Sequence, residues 1–505
     1  MSGGSKLFRL SVALLGLSAI TAVQTANAAD LPVKARPPVA VATAASWTGC
    51  YINGGIGYGL WKQVNQTAPF GGDPTSIEMT NSGEGWLGRL GGGCDYQPSG
   101  SRFVIGAFGD YDVMNIKGRN LYSRTYAGPA FGNAYVGDLK ESAAWAVGVR
   151  AGYLVTPSLL TYFTAGWTGT HFDGVTLTNS DPGRFPFGFT MPGVTYNGWF
   201  AGGGTEYAMP FGNGLFWRNE YRFASYGTHD VQVFDPTFPL DVQRTRQYVQ
   251  TVTSSLVWRF NQTGTSATAA APLVTKAPAV AAGPAWTGCY LDGGLGYGMW
   301  RDQLYVNHFG VRTTTDLNNG GDGLLGRLGA GCDYRLTGAL SQWVVGAFGD
   351  YDFMNLKGNF AAPAGTLGVG LSPFVLANDE KQSAAWYAGA RVGYVVLPEL
   401  MTFASVGWTQ TRFDQVDLGT NEVGRTLIPG YNLPAATYQG WFLGGGTEYS
   451  LPFAKGLFWR NEYRYASYGA QNVATFSLFG TNGEGIMSRK TVQTATTSLV
   501  WKFGL

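Results

Sequence analysis

Charge is scarce in this sequence. Only 13% of the 505 residues are Asp, Glu, Lys or Arg, about half the share of an average soluble protein. Long apolar runs are missing too, because no stretch of about 18 apolar residues occurs beyond the N-terminus, which excludes a transmembrane helix from the mature chain. The net charge of +2 gives no reason to expect nucleic acid as a partner.

Aromatic residues and glycine, in contrast, are plentiful. Phe, Trp and Tyr make up 14% of the chain, and there are 75 glycines. Low charge and many aromatics without a hydrophobic helix are typical of a transmembrane β-barrel, whose outer face meets lipid and whose interior is filled by side chains. This composition therefore favours an all-β membrane protein.

The first residues have the pattern of a secretory signal peptide. Lys6 and Arg9 precede the apolar stretch 10–23, and the A-x-A signal 26–28 follows it, so we expect cleavage after Ala28. A membrane anchor is the alternative, but the apolar stretch is short for one. Residues 29–46 resemble the segment 261–285 in their Ala and Pro content, and we interpret them as an extended periplasmic leader.

The rest of the chain is an internal repeat. The sequence GAFGDYD occurs at 106–112 and again at 346–352, and GLFWRNEY occurs at 214–221 and again at 456–463. The other shared motifs follow in the same order, so the two copies are colinear. We place the first copy at 47–260, a periplasmic linker at 261–285 and the second copy at 286–505.

Eight segments of the first copy alternate apolar and polar residues with period 2. They lie near 49–60, 84–96, 102–114, 141–154, 159–172, 195–209, 214–228 and 246–260. The connections between them are alternately short and long, as in outer-membrane barrels with short periplasmic turns and long outer loops. We therefore predict two tandem eight-stranded antiparallel transmembrane β-barrels, joined by the Ala/Pro-rich linker. One sixteen-stranded barrel with a water-filled channel is the alternative.

The alternation also assigns faces. Apolar side chains such as Phe223 and Trp258 should face lipid, because a charge at the bilayer midplane costs about 2–4 kcal/mol. Charged side chains should point into the lumen, where they must be paired. We predict two balanced networks that close the lumens, with a proton or ion pathway as the alternative. Their members are Arg89, Asp110, Asp112, Arg150, Glu206, Arg218, Glu220 and Arg222 in the first copy, and Arg327, Asp350, Asp352, Arg391, Glu448, Arg460, Glu462 and Arg464 in the second.

The four cysteines occupy matching places in the two copies. Cys50 begins the first strand and Cys94 ends the second, so they should face each other in an antiparallel pair, and Cys289 and Cys332 repeat this arrangement. Export to an oxidising compartment favours the disulfides Cys50–Cys94 and Cys289–Cys332 over four free thiols.

Several short motifs together resemble a known family. The leader 29–32 (ADLP), the opening Trp47-Thr48-Gly49, the pair Glu206-Tyr207 and the closing 258–260 (WRF) are similar to those of the alphaproteobacterial outer-membrane immunogenic proteins. This resemblance implies a porin-like barrel in the outer membrane of a Gram-negative cell, with a role in envelope integrity or surface interaction. It also implies that Phe260 and Phe503 act as signals for the barrel-assembly machinery, although family members usually carry one barrel and Gly504-Leu505 follow Phe503 here.

Catalytic signatures are missing. None of the three histidines recurs in the other copy, and we find no nucleophile elbow, phosphate-binding loop or zinc signature. We expect a surface-exposed structural protein with no enzyme activity, cofactor or metal, in contact with lipid and lipopolysaccharide, which could bind a surface ligand through its variable outer loops. A porin-like channel for small solutes is the main alternative, and a lipid-modifying enzyme is a weaker one.

Overall fold

The computed structural model describes the chain from Trp47 to Phe503 with several gaps. The gaps are residues 124–133, 180–187, 210–213, 235–240, 261–284, 309–310, 364–374, 421–422, 425–426, 452 and 475–483. The predicted signal peptide, the leader and nearly all of the predicted linker lie outside the described residues. Within the described part, no helix is long and apolar enough to span a membrane.

The first half of the chain contains ten strands among its described residues. They are β1 (Gly49–Pro69), β2 (Met79–Tyr96), β3 (Phe103–Ser123), β4 (Ala134–Thr156), β5 (Leu159–Phe172), β6 (Val175–Asn179), β7 (Phe189–Met191), β8 (Val194–Ala208), β9 (Leu215–Val233) and β10 (Asp241–Arg259). Eight of these are long, and β6 and β7 are short strands in the connection between β5 and β8.

The second half repeats this order with twelve strands and one 3-10 turn, Gly338–Leu340, in the described part. The strands are β11 (Gly288–His308), β12 (Val311–Arg312), β13 (Leu317–Arg335), β14 (Trp343–Pro363), β15 (Val375–Leu397), β16 (Leu400–Phe413), β17 (Val416–Thr420), β18 (Leu427–Leu433), β19 (Ala436–Ser450), β20 (Leu457–Tyr468), β21 (Gln471–Ala474) and β22 (Glu484–Phe503).

The structure corrects the predicted pair of separate eight-stranded barrels. All the described strands belong to one 22-stranded antiparallel sheet and lie in one compact unit. The two halves are joined where Asn81 of β2 pairs with Asn319 of β13. The prediction was wrong because it assigned the outward faces of β2 and β13 to lipid, whereas these two faces contact each other.

Pairing within this sheet follows the repeat. Strand β1 pairs with β10 from Tyr51–Arg259 to Pro69–Asp241, and β11 pairs with β22 from Cys289–Phe503 to His308–Glu484. We call the eight long strands of the first half the first ring and those of the second half the second ring. The sixteen-stranded alternative would require β10 to pair with β11, whereas among the described strands β10 pairs with β1 and β9, and β11 pairs with β12, β13 and β22.

The two ends of each ring differ. At one end the strands are joined by short connections such as Thr156 to Leu159, and at the other end they extend well past the predicted segments. Strand β3, for example, continues to Ser123 instead of ending near residue 114. We call these the short-turn end and the long-loop end.

Candidate functional site

The lumen of the first ring is filled by ion pairs, beginning near its short-turn end. Glu206 is fully buried and accepts hydrogen bonds from Arg150 at 2.9 Å and Arg259 at 2.7 Å, and Arg218 lies 2.8 Å from it. Asp95 pairs with Arg150 and Arg259. Such closely paired charges satisfy the requirement that a buried charge has a partner.

A second group of charges lies further along the same lumen. Arg89 donates two hydrogen bonds to Asp112, at 2.8 and 2.7 Å, and a third to Glu220 at 2.9 Å. Arg222 pairs with Asp110 and Glu220. The structure thus brings all eight predicted residues of the first copy into buried, ion-paired positions.

The second ring repeats this arrangement. Arg327 contacts Asp352 at 2.7 Å and Glu462 at 3.1 Å, while Arg391 and Arg460 contact Glu448 at 3.0 and 2.9 Å. Arg464 pairs with Asp350 and Glu462. All eight predicted residues of the second copy are therefore buried and paired as well.

Sequence reasoning missed some members of these networks. Asp95 and Arg259 belong to the first network, and Asp333, Asp292 and Lys502 belong to the second. Strand alternation contained the signal, because Asp95 and Asp333 each follow an outward-facing cysteine and must therefore point inward.

A tryptophan closes the short-turn end of each lumen. Trp47 is fully buried, donates a hydrogen bond to the carbonyl of Pro157 at 3.0 Å and lies 4.9 Å from the Arg259 guanidinium. Trp286 makes the same bond to Pro398 and lies 4.9 Å from the Lys502 ammonium. The tryptophan of the Trp-Thr-Gly motif is therefore the residue that closes the short-turn end of each lumen.

A second tryptophan crosses each lumen nearer the long-loop end. Trp61 and Trp300 are both fully buried, and each lies against a glycine of the neighbouring strand. A Cβ at Gly83 or Gly321 would come within 2.4 Å of the indole ring, so only glycine fits there. Together with the ion pairs, these rings fill each lumen at several levels.

The lumens differ beyond these tryptophans. In the first ring Gln63 lies opposite Gln247, within a group of buried amides. At the matching position of the second ring Asp302 lies opposite Lys490, and their side chains pair at 2.9 Å. Lys490 also pairs with Glu380. The second lumen thus carries an additional charged group at its long-loop end.

Open space at this level of the second lumen is small. A cavity lined by Asp302, Glu380 and Lys490 has a volume of about 20 Å³, which is room for one or two water molecules. Among the described residues, no three His, Cys, Asp or Glu side chains are arranged to hold a metal ion.

The cysteines form two disulfides, Cys50–Cys94 and Cys289–Cys332. Cys50 lies directly opposite Cys94 in the pairing of β1 with β2, and Cys289 lies opposite Cys332 in the pairing of β11 with β13. Both bonds are at the short-turn end, and Cys50 and Cys94 lie on the outward face.

The two terminal aromatic residues lie at the same end. Phe260 follows β10, and its backbone N–H donates to the carbonyl of Cys50 at 2.9 Å. Phe503 is the last residue of β22 and lies opposite Cys289. Each side chain is 45% exposed, and their role as assembly signals stays a prediction.

The contact between the rings is reciprocal. Lys62 of the first ring pairs with Asp322 of the second, and Arg301, the counterpart of Lys62, pairs with Glu84, the counterpart of Asp322, at 2.8 Å. The aromatic contacts between the rings are reciprocal in the same way, because Tyr58 packs on Tyr465, and Tyr297, the counterpart of Tyr58, packs on Phe223, the counterpart of Tyr465. Phe223, predicted to face lipid, therefore faces the other ring.

Elsewhere the outward faces are apolar and exposed. On β3, Phe103, Ile105, Tyr111 and Val113 are each more than half exposed, while the alternate side chains, such as Val104, Phe108 and Asp112, are buried. The ten steps from Phe103 to Val113, at about 3.3 Å each along a strand tilted about 40°, span about 25 Å, the height of the apolar band of an outer-membrane barrel.

Membrane-spanning strands, exposed apolar faces and charged interiors define a β-barrel protein of the outer membrane. No protein-family model matches the chain, and no curated protein does. The resemblance to the alphaproteobacterial immunogenic proteins therefore stays a prediction.

Similar solved structures include two that span most of the chain. The toluene transporter TodX of P. putida is 10% identical, with a TM-score of 0.27, over 90% of this chain and 91% of TodX. A Pseudomonas aeruginosa FadL homologue is 11% identical, with a TM-score of 0.26, over 90% of each chain. Neisserial surface protein A is 15% identical, with a TM-score of 0.19, over 41% of this chain and 97% of that protein. Similarities this low identify neither a family nor a function.

Proposed function

We propose that this chain is a structural outer-membrane protein whose lumens are filled by side chains, and which supports the envelope while exposing its long-loop end at the cell surface. One observation carries the proposal: buried ion pairs and tryptophans fill both rings, from Trp47 and Trp286 at the short-turn end to Trp61 and Trp300. An interior that is filled by side chains in this way leaves no water-filled channel.

The orientation follows the general rule for such proteins. Short turns lie in the periplasm and long loops lie outside the cell. The terminal residues Phe260 and Phe503 would then present the assembly signal on the periplasmic side, and the connections at the long-loop end, such as those that follow β3 and β14, would be the parts that meet surface ligands. The proposed role needs no catalytic residue or cofactor.

Conductance tests the proposal against the alternative of a porin-like channel. We expect the full chain, reconstituted into planar bilayers, to give no stepwise conductance above that of lipid alone, while an open porin measured in parallel does. We also expect proteoliposomes containing the chain not to swell in isotonic sugar. Stable single-channel steps together with sugar passage would support the channel instead.

A further inference from the structure

Two pairs of lysines on the outward surface are arranged in an unfavourable way. Lys117 of β3 lies directly opposite Lys140 of β4, and Lys357 of β14 lies directly opposite Lys381 of β15. Like charges that face each other across neighbouring strands destabilise a sheet. The same arrangement occurs at the same place in both rings.

Glu84 of β2 lies opposite Lys117, and Asp322 of β13 lies opposite Lys357. Each of these carboxylates is already paired with a cation of the other ring, Glu84 with Arg301 at 2.8 Å and Asp322 with Lys62.

Lys140 lies 3.6 Å from Asp173, and among the described residues no carboxylate lies within ion-pair distance of Lys117. In the second ring Asp414 lies beside Lys381, because its backbone N–H donates to the Lys381 carbonyl at 2.9 Å, and Arg412 lies 4.0 Å from the Asp414 carboxylate. His171 occupies the place of Arg412 in the first ring.

The height of the pairs on the rings points to the kind of anion. The lysines share the outward face with the exposed band and lie past it toward the long-loop end, beyond Val113 and Trp145 on their own strands. On the adjacent strand β5, His171 lies four residues past Trp167 toward the long-loop end, which corresponds to a rise of about 10 Å along a tilted strand. The pairs thus lie at the level of the lipid headgroups, just outside the hydrocarbon.

We infer that each lysine pair binds the phosphate groups of a glycolipid in the outer leaflet, so that the chain carries two such sites, one on β3 and β4 and one on β14 and β15. Basic side chains beside a membrane attract anionic lipid with about 1 kcal/mol each. The inference rests on the proposed outer-membrane location and names the lipid phosphate as the partner of this surface.

Native mass spectrometry of the full chain in detergent tests the inference through stoichiometry. The probe is bisphosphorylated lipid A, with dephosphorylated lipid A and inorganic phosphate as comparisons. We expect two lipid A molecules on the wild type, one on K117Q/K140Q, one on K357Q/K381Q and none on the fourfold variant at the same concentration. Each remaining site should keep its affinity, whereas the altered site should weaken by at least about tenfold.

Matched controls separate charge from folding. The exchange K455Q removes a lysine at the short-turn end and should leave both sites intact, and the Lys→Arg versions of the four positions should also retain two lipids. Every variant must keep the heat-modifiable gel mobility of a folded barrel.

Three results would overturn the inference. They are two lipids on the folded fourfold variant, equal binding of dephosphorylated lipid A, and displacement of the lipid by inorganic phosphate at equal phosphate concentration. Membrane fractionation of cells reports on the outer-membrane location itself, so failure of the lipid site and failure of the proposed function give different results.

Discussion

Single residues hold the lumens closed, and Glu206 shows how. Three arginines, Arg150, Arg218 and Arg259, converge on this one carboxylate in a fully buried position. Its inward direction could be predicted from strand alternation alone. The identity of its partners could not, because they come from strands far apart in sequence whose relative height depends on the register and tilt of the ring.

We predict that E206Q destabilises the folded chain strongly. The neutral amide leaves three buried guanidinium groups short of a negative partner, and breaking a buried ion pair in this way costs about 3–5 kcal/mol. The equivalent exchange E448Q should have a similar effect in the second ring. The free energy of unfolding, measured by guanidinium titration in lipid vesicles, checks both.

The matched control is D230N. Asp230 pairs with Arg244 at 2.8 Å near the long-loop end, outside the apolar band, where both side chains are substantially exposed. Hydrogen bonds from Arg244 lower the pKa of Asp230, yet exposed pairs of this kind contribute about 1 kcal/mol or less. If D230N and E206Q destabilised the chain equally, the lumen networks would not be the source of its stability.

At the scale of the strands, the predicted boundaries are close to the observed ones at the short-turn end and wrong at the long-loop end. The eight predicted segments of the first copy fall on the eight long strands, with short-turn boundaries close to those observed. At the long-loop end β3 and β4 extend about nine and seven residues further than predicted. Beyond the lipid the outward residues become polar, as at Lys117 and Arg119, so the apolar alternation disappears while the strand pairing continues.

We predict that the two disulfides stabilise the first strand pair of each ring. Removing Cys50–Cys94 by the double exchange C50S/C94S frees a segment of 44 residues in the unfolded chain, which corresponds to about 2–4 kcal/mol. Because β1 and β2 stay paired without the bond, the folded structure and its gel mobility should not change. Reductant removes both disulfides from the wild type, so it should lower stability by more than C50S/C94S does.

The serine variant has a clear control. Adding reductant to C50S/C94S should lower stability once more, through Cys289–Cys332 alone, and adding it to the fourfold serine variant should have no effect. A reductant effect on the fourfold variant would show that the loss has another cause.

At the scale of the whole molecule, the repeat predicts two matching sets of strands, and the prediction of two separate barrels was wrong because the two sets belong to one sheet. The outward residues that join them lie partly in stretches predicted to be loops, as Lys62 does, and charge on the outer face of a strand carries no signal for its partner. Only the structure shows that Lys62 and Glu84 meet Asp322 and Arg301. Reciprocal contacts between like surfaces are the rule in twofold-symmetric dimers, and here the repeat produces them within one chain.

Charge reversal at this contact should uncouple the rings. We predict that K62E, which places a second carboxylate beside the largely buried Asp322, lowers stability by about 3–5 kcal/mol and separates one cooperative unfolding transition into two. The compensating exchange K62E/D322K restores opposite charges at the same site and should recover most of the loss. Guanidinium unfolding followed by tryptophan fluorescence measures both effects. If the loss of stability in the double variant equalled the sum of the losses in K62E and D322K, the ion pair would not couple the rings. The apolar cluster at the short-turn end, which includes Leu159, Tyr207, Leu400 and Tyr449, would then have to hold the rings together.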